Sequence, residues 1–166
     1  DDNMLIGNYL GLSILTKNSN WQISETIDGF FESARILYID VKNNLWISHP
    51  YRGIYFVSSD ELNNRKTKES LFNEGNKELQ RLSNKIFKID GNIVVTDDEK
   101  MYTINAETYK IELHPYLNNY IEAKEVVKFM IQDEFKNIWY GTDKESGLLV
   151  PEKSFKTNYT KYVINE

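Results

Sequence analysis

Apolar and polar positions alternate along this chain in short bursts separated by turn-forming residues. The clearest burst is Leu45-Trp46-Ile47-Ser48, followed by the polar cluster His49-Pro50-Tyr51-Arg52 and then by Gly53-Ile54-Tyr55-Phe56-Val57. β-Branched and aromatic runs on both sides of a breaker predict two strands joined by a tight connection. Three other stretches repeat the pattern. Ile138-Trp139-Tyr140-Gly141 passes through Thr142 to Ser146 into Gly147-Leu148-Leu149-Val150. Ile93-Val94-Val95-Thr96 passes through Asp97 to Lys100 into Met101-Tyr102-Thr103-Ile104. Met4-Leu5-Ile6-Gly7 passes through Asn8 to Leu10 into Gly11-Leu12-Ser13-Ile14. The anchors Leu5, Trp46, Val94 and Trp139 lie 41, 48 and 45 residues apart. A strand–turn–strand core recurring every 40–50 residues or so is the spacing of propeller blades.

Other strands complete the units. Ile36 to Ile39 is a continuous apolar run, as a strand covered on both faces should be, and the same inner-strand signal precedes the later hairpins at Lys85 to Asp90 and Val126 to Ile131. Each is followed by an aspartate (Asp40, Asp90 or Asp133), which reads as a turn stabiliser acting through local side-chain to backbone bonds. Trp21 to Ser24, Tyr109 to Leu113 and Tyr159 to Ile164 alternate like half-buried outer strands. Residues 58–83 are polar and break the spacing. They read as a surface insertion holding an outer strand or short helix at Leu71, Phe72, Leu79 and Leu82, interrupted by Asn73-Glu74-Gly75-Asn76.

The predicted fold is all-β: a β-propeller segment of about four blades, each a four-stranded antiparallel sheet, with blades at 1–30, 31–82, 83–122 and 123–166. The first unit lacks an inner strand, and the chain opens at Asp1 rather than Met. An arc excised from a larger propeller is therefore expected, with apolar faces left uncovered at both ends.

Composition narrows the function. Eleven Tyr, eight Phe and three Trp against three Pro suit an all-β domain. A net charge of −5, with no run of Lys and Arg, argues against nucleic acid as a partner. The chain has no cysteine, so it has neither a disulfide framework nor a thiolate site. It has no apolar run of roughly 18 residues, so this segment is not expected to insert into a membrane directly. The two histidines, His49 and His114, fall in different units, which disfavours a histidine metal site. Neither a metal nor a cofactor is expected. The GxSxG, HExxH, Walker A and GxGxxG patterns are all absent, so the chain does not read as an enzyme.

Two of the units resemble a known family. Asp40…Asn44-Leu45-Trp46-Ile47-Ser48…Gly53-Ile54-Tyr55 and Asp133…Asn137-Ile138-Trp139-Tyr140-Gly141-Thr142…Gly147-Leu148 look like the two-component regulator propeller repeat. The first copy carries Leu5, and the third Val94, where that repeat has Trp. The resemblance implies structural roles for Trp46, Gly53, Trp139, Gly141 and Gly147, with the tryptophans packing between blades. It further implies the periplasmic sensor of a bacterial hybrid histidine kinase or a LuxR-like transmembrane regulator. The rest of the parent protein would then be a partner.

Candidate contacts lie on the tips between strands two and three. Tyr51 offers a ring for stacking on a sugar, Arg52 a fork for a carboxylate, and His49 a hydrogen bond to either. Asp143 and Lys144 occupy the matching tip of the last unit. The simpler reading is that all five are solvated hairpin tips. Three functions follow: a sensor of a small ligand such as an oligosaccharide, a structural module that forms a homodimer, or a fragment of a carbohydrate-active enzyme. The first fits the resemblance best.

Overall fold

The computed structural model describes residues 3–68, 71–72, 79, 82–83, 85–105, 107–122, 125–152 and 157–164. Four antiparallel sheets carry the fold, each a meander in which chain neighbours pair. The first holds β1 (Asn3–Asn8), β2 (Gly11–Lys17) and β3 (Trp21–Thr26), and the second β4 (Ile36–Ile39), β5 (Leu45–His49) and β6 (Gly53–Val57). The third holds β7 (Ile86–Ile89), β8 (Asn92–Thr96), β9 (Met101–Ile104) and β10 (Ile111–Leu113). The fourth holds β11 (Phe129–Gln132), β12 (Ile138–Gly141), β13 (Ser146–Pro151) and β14 (Tyr159–Ile164). This is the all-β, blade-type meander that the hydrophobic pattern predicts.

Two compact units divide the chain, residues 1–80 with 84–86 and residues 81–83 with 87–166. In the first unit Leu12, Ile27, Phe30, Ala34, Leu45, Ile47, Tyr55 and Val57 form one buried cluster, which joins its two sheets. In the second, Phe87, Val94, Met130, Ile138, Tyr140 and Leu149 do the same with Leu117 and Tyr159.

The strand-linking turns explain the Asp-to-Trp spacing. Asp40 Oδ1 accepts the amides of Lys42 (2.8 Å) and Asn44 (3.0 Å), and Oδ2 accepts Asn44 Nδ2 (3.1 Å) and Trp46 Nε1 (2.9 Å). Asp133 repeats this set with Phe135, Asn137 and Trp139. Asn43 and Lys136 take the left-handed conformation at the same place in each turn, with φ of 63° and 66°. One carboxylate thus fixes the turn, the asparagine and the indole together.

Asp90 departs from that expectation. The third sheet turns on Asp90-Gly91, both at positive φ (51° and 80°), the pattern of a two-residue hairpin turn. That turn needs no side-chain cap, so the Asp90 carboxylate reaches elsewhere. Its Oδ2 accepts Tyr116 Oη (2.6 Å) and its Oδ1 accepts Gln132 Nε2 (3.1 Å), so it ties β11 to the segment after β10.

Trp46 is fully buried, its ring edge-on to Phe56 and Phe72. Trp139, also expected to pack between blades, is instead 42% exposed, and its neighbours Phe129 and Ile131 on β11 are 44% and 60% exposed. The inner strand β11 is therefore covered on one face only, through Met130. The register places Ile131, Trp139, Leu148 and Tyr162 in one row of the open face, and Phe129, Gly141, Ser146 and Ile164 in another. With Val150 opposite Thr160, none of the ten positions on that face carries a charge.

The 58–83 insertion begins with a helix, α1 (Ser59–Asn63), under a Ser58/Glu61 capping box. The Ser-x-x-Glu pattern was the available signal for it. Beyond the helix, Asp28 and Lys66 form a parallel bridge, and Leu71 pairs with Tyr55 at the outer edge of the second sheet. Residues 73–78, which hold the Asn73-Glu74-Gly75-Asn76 break, lie outside the described residues.

Candidate functional site

The four hairpin tips share one device built from four residue types. Asn8 Oδ1 accepts the Leu10 amide at 2.8 Å. His49 Nδ1 accepts the amides of Tyr51 (3.0 Å) and Arg52 (2.9 Å). Asp97 Oδ1 accepts those of Glu99 (2.8 Å) and Lys100 (2.7 Å). Thr142 Oγ1 accepts those of Lys144 (3.1 Å) and Glu145 (3.0 Å). A side-chain acceptor where the strand enters the tip holds one or two turn amides in each case. Beyond the tip, Gly11 and Gly53 adopt φ of 137° and 130°, which a residue with a Cβ rarely does.

His49 is thereby a turn cap. It is 7% exposed, its Nδ1 is an acceptor, and its Nε2 lies 3.4 Å from Glu32 Oε2. Arg52 also pairs with Glu32, so one carboxylate faces both. The Tyr51 ring lies edge-on to that of His49, with centroids 6.3 Å apart, and is 89% exposed.

A cleft of about 430 Å³ opens beside Tyr51, lined by Gly7, Asn8, Tyr9, Ser33, Ala34, Arg35 and Pro50 as well. Its volume is within the range of small-ligand sites. Two backbone bonds build it: Ala34 N–H donates to Asn8 O (3.0 Å), and Arg35 N–H to Ser48 O (3.1 Å). The segment ahead of β4 is thereby pinned between two adjacent tips. Gly7 permits the approach, because a Cβ there would meet the Ala34 carbonyl. Tyr9 is 88% exposed on the first tip, as Tyr51 is on the second.

The lining contains neither a carboxylate nor a histidine. It includes two tyrosines, one arginine and small polar residues. Such a set can stack on a flat apolar sugar face and hydrogen-bond its hydroxyls.

Of the five predicted contacts, His49, Tyr51 and Arg52 share this tip, and Tyr51 alone lines the cleft. Asp143 and Lys144 belong to the second unit. There Asp143 Oδ1 accepts the Val126 amide (2.7 Å), and Lys144 Nζ lies 3.9 Å from Glu125 Oε1. The space beside the neighbouring tip, lined by Asp97, Glu99, Glu122 and Glu125 among others, is about 10 Å³, too small for an organic ligand. Among the described residues no group of three or more His, Asp or Glu is placed to hold a metal ion. Arg35 was not singled out from sequence. The signal was its position in the unit-to-unit connection, which lies on the same edge as the tips.

Electrostatics in the second unit are structural. His114 Nδ1 accepts the amides of Tyr116 (3.4 Å) and Leu117 (3.3 Å), again as a turn cap. Burial lowers its pKa to about 4, against a smaller opposing pull from Asp90. Burial and the hydrogen bond to Asp90 push the Tyr116 hydroxyl far up. Burial works to raise the Asp90 and Asp40 carboxyls, but their hydrogen bonds outweigh it and hold both below the ordinary aspartate value.

No family model matches the chain, and no curated protein matches it. Among solved structures it is similar to the extracellular domain of a protein assigned to a hybrid two-component system of B. thetaiotaomicron. The TM-score is 0.56 at 15% identity, covering 99% of this chain. The chain spans 20% of the length of that one. At this identity the likeness is one of fold.

Proposed function

We propose that the chain is a β-propeller segment of an extracytoplasmic, periplasmic sensor, and that it binds rather than transforms its ligand. The cleft between the Tyr9 and Tyr51 tips is the ligand site, and a glycan is the ligand class. The observation that carries this reading is the pair of tyrosines, each nearly nine-tenths exposed, on consecutive tips beside a ready-made cleft. Exposed rings at a concave site are anchors for sugar faces. The lining lacks the carboxylate pair that glycoside hydrolysis ordinarily uses, which favours binding over hydrolysis. The likeness to a two-component extracellular domain supports the sensor role.

The test is binding of an oligosaccharide panel by calorimetry, with Tyr9→Ala and Tyr51→Ala as variants. Loss of binding in both, with unchanged melting temperature, supports the reading; wild-type binding in both variants refutes it.

A second reading is favoured by the uncharged outer face of β11–β14. A one-sided sheet ordinarily shows polar residues to water, so this face is suited to another sheet, in a larger propeller or in a homodimer. Light scattering across concentrations separates the two: a dimer broken by Ile131→Lys supports self-association, and a monomer throughout rejects it.

A further inference from the structure

We propose that the cleft selects a negatively charged sugar, one bearing a carboxylate or a sulfate, and that Arg35 is the selecting group. This rests on the cleft being the sugar site. Arg35 is an exposed residue of the lining, and among the described residues its side chain has no ion pair and no hydrogen bond. The other described arginines are engaged: Arg52 with Glu32, and Arg65 with Glu25 and the Leu62 carbonyl.

The nearest acid in sequence, Glu32, is already committed. Its Oε1 meets Arg52 and its Oε2 lies 3.4 Å from His49 Nε2. That pairing neutralises Glu32 and Arg52 against each other beside the cleft. Arg35 remains as the uncompensated charge of the lining, on a chain whose net charge is −5. A cation at the lining of a concave site raises the local concentration of anionic ligands over neutral ones.

Geometry fixes the kind of anion. The Arg35 backbone is held by its bond to Ser48 O (3.1 Å), so its side chain starts from a fixed point between the two tips. The tyrosines on either tip supply faces for a pyranose ring, and the planar fork of arginine matches a carboxylate or sulfate bidentately. A sugar carrying its charge on a ring substituent satisfies both at once. A free inorganic anion would use the arginine and leave the rings idle.

The experiment is calorimetry on the whole chain with matched pairs. These are oligogalacturonate against its methyl ester, oligoglucuronate against its reduced neutral form, and sulfated against desulfated galactan oligosaccharides. In each pair the ring is kept and the charge removed. The expected result is that a charged member binds about tenfold or more tightly than its neutral partner. Arg35→Gln abolishes that difference, Arg35→Lys restores part of it, and Tyr51→Ala weakens both members. Preference confined to uronates, or to sulfated sugars, identifies which anion is read.

If charged and neutral members bind alike and both are lost in Tyr51→Ala, the anion selectivity is overturned while the cleft stands as the sugar site. The selectivity is also overturned if Arg35→Gln leaves the difference intact. If no pair binds at all, the site assignment falls and the selectivity with it.

Discussion

Acidifying the protein from pH 7 to pH 5 should destabilise it chiefly through His114. This side chain is 5% exposed and caps the turn after β10 through Nδ1, which must stay unprotonated to accept the Tyr116 and Leu117 amides. Its pKa is about 4 folded and about 6.5 unfolded. A base whose pKa is depressed by folding binds more protons unfolded, so its contribution is whole above about pH 6.5 and is lost on the way down to pH 4. Linkage between those two values gives a loss of about 2 kcal/mol at pH 5 and about 3 kcal/mol by pH 4. The carboxylates held low, Asp40, Asp90 and Glu145, contribute above their unfolded values and begin to fail only nearer pH 4. The interval from pH 6.5 to 5 therefore isolates the histidine from them. Urea unfolding at pH 7 and pH 5 reads the effect, with His114→Asn as control, since an asparagine oxygen can cap the turn without titrating. The wild type should lose about 2 kcal/mol more than the variant over this interval. An equal loss in both would show that His114 is not held neutral by the fold, and would refute the argument.

Two other substitutions test the turn chemistry. Asp40→Ala should cost about 3 kcal/mol, because it leaves the buried Trp46 N–H and two turn amides without an acceptor. Asp133→Ala removes the same bonds at a solvated site and should cost distinctly less in the same thermal melts. At the second tip, His49→Ala should lose about 1–2 kcal/mol by leaving the Tyr51 and Arg52 amides unbound. His49→Asn should recover most of that, and equal melting temperatures for the two variants would rule out the cap.

The strands were legible because their signals are periodic. Leu45 to Ser48 and Gly53 to Val57 form β5 and β6 where alternation and breakers put them, and the weaker copy around Val94 forms β8 and β9. The tips were less legible because their common feature is an acceptor atom, not a residue type. Thr142 as a cap follows from known turn chemistry, whereas His49 in the same role looks like functional chemistry until its ring nitrogen is seen holding two amides. Asp90 shows the converse. Its place after an inner strand suggested the role of Asp40, but the following Gly91 allows a two-residue turn that frees the carboxylate. Arg35 went unseen because one arginine ahead of a strand has no pattern; only the pinning of its segment by Asn8 O and Ser48 O reveals its site.

Each tip separates the residue that builds the turn from the residues that face water. The cap consumes the first position, at Asn8, His49, Asp97 and Thr142, and the next two make up the outer part of the tip. In the first unit those positions hold Tyr9-Leu10 and Pro50-Tyr51; in the second they hold Asp98-Glu99 and Asp143-Lys144. The first pair of tips exposes aromatic surface beside one cleft. The second pair exposes charge, which water solvates readily. The aromatic tips occur where two adjacent tips and a pinned segment enclose a cleft. That coincidence ties the sugar-binding reading to the first unit, whereas at the last tip Asp143 and Lys144 are turned to the Val126 amide and to Glu125.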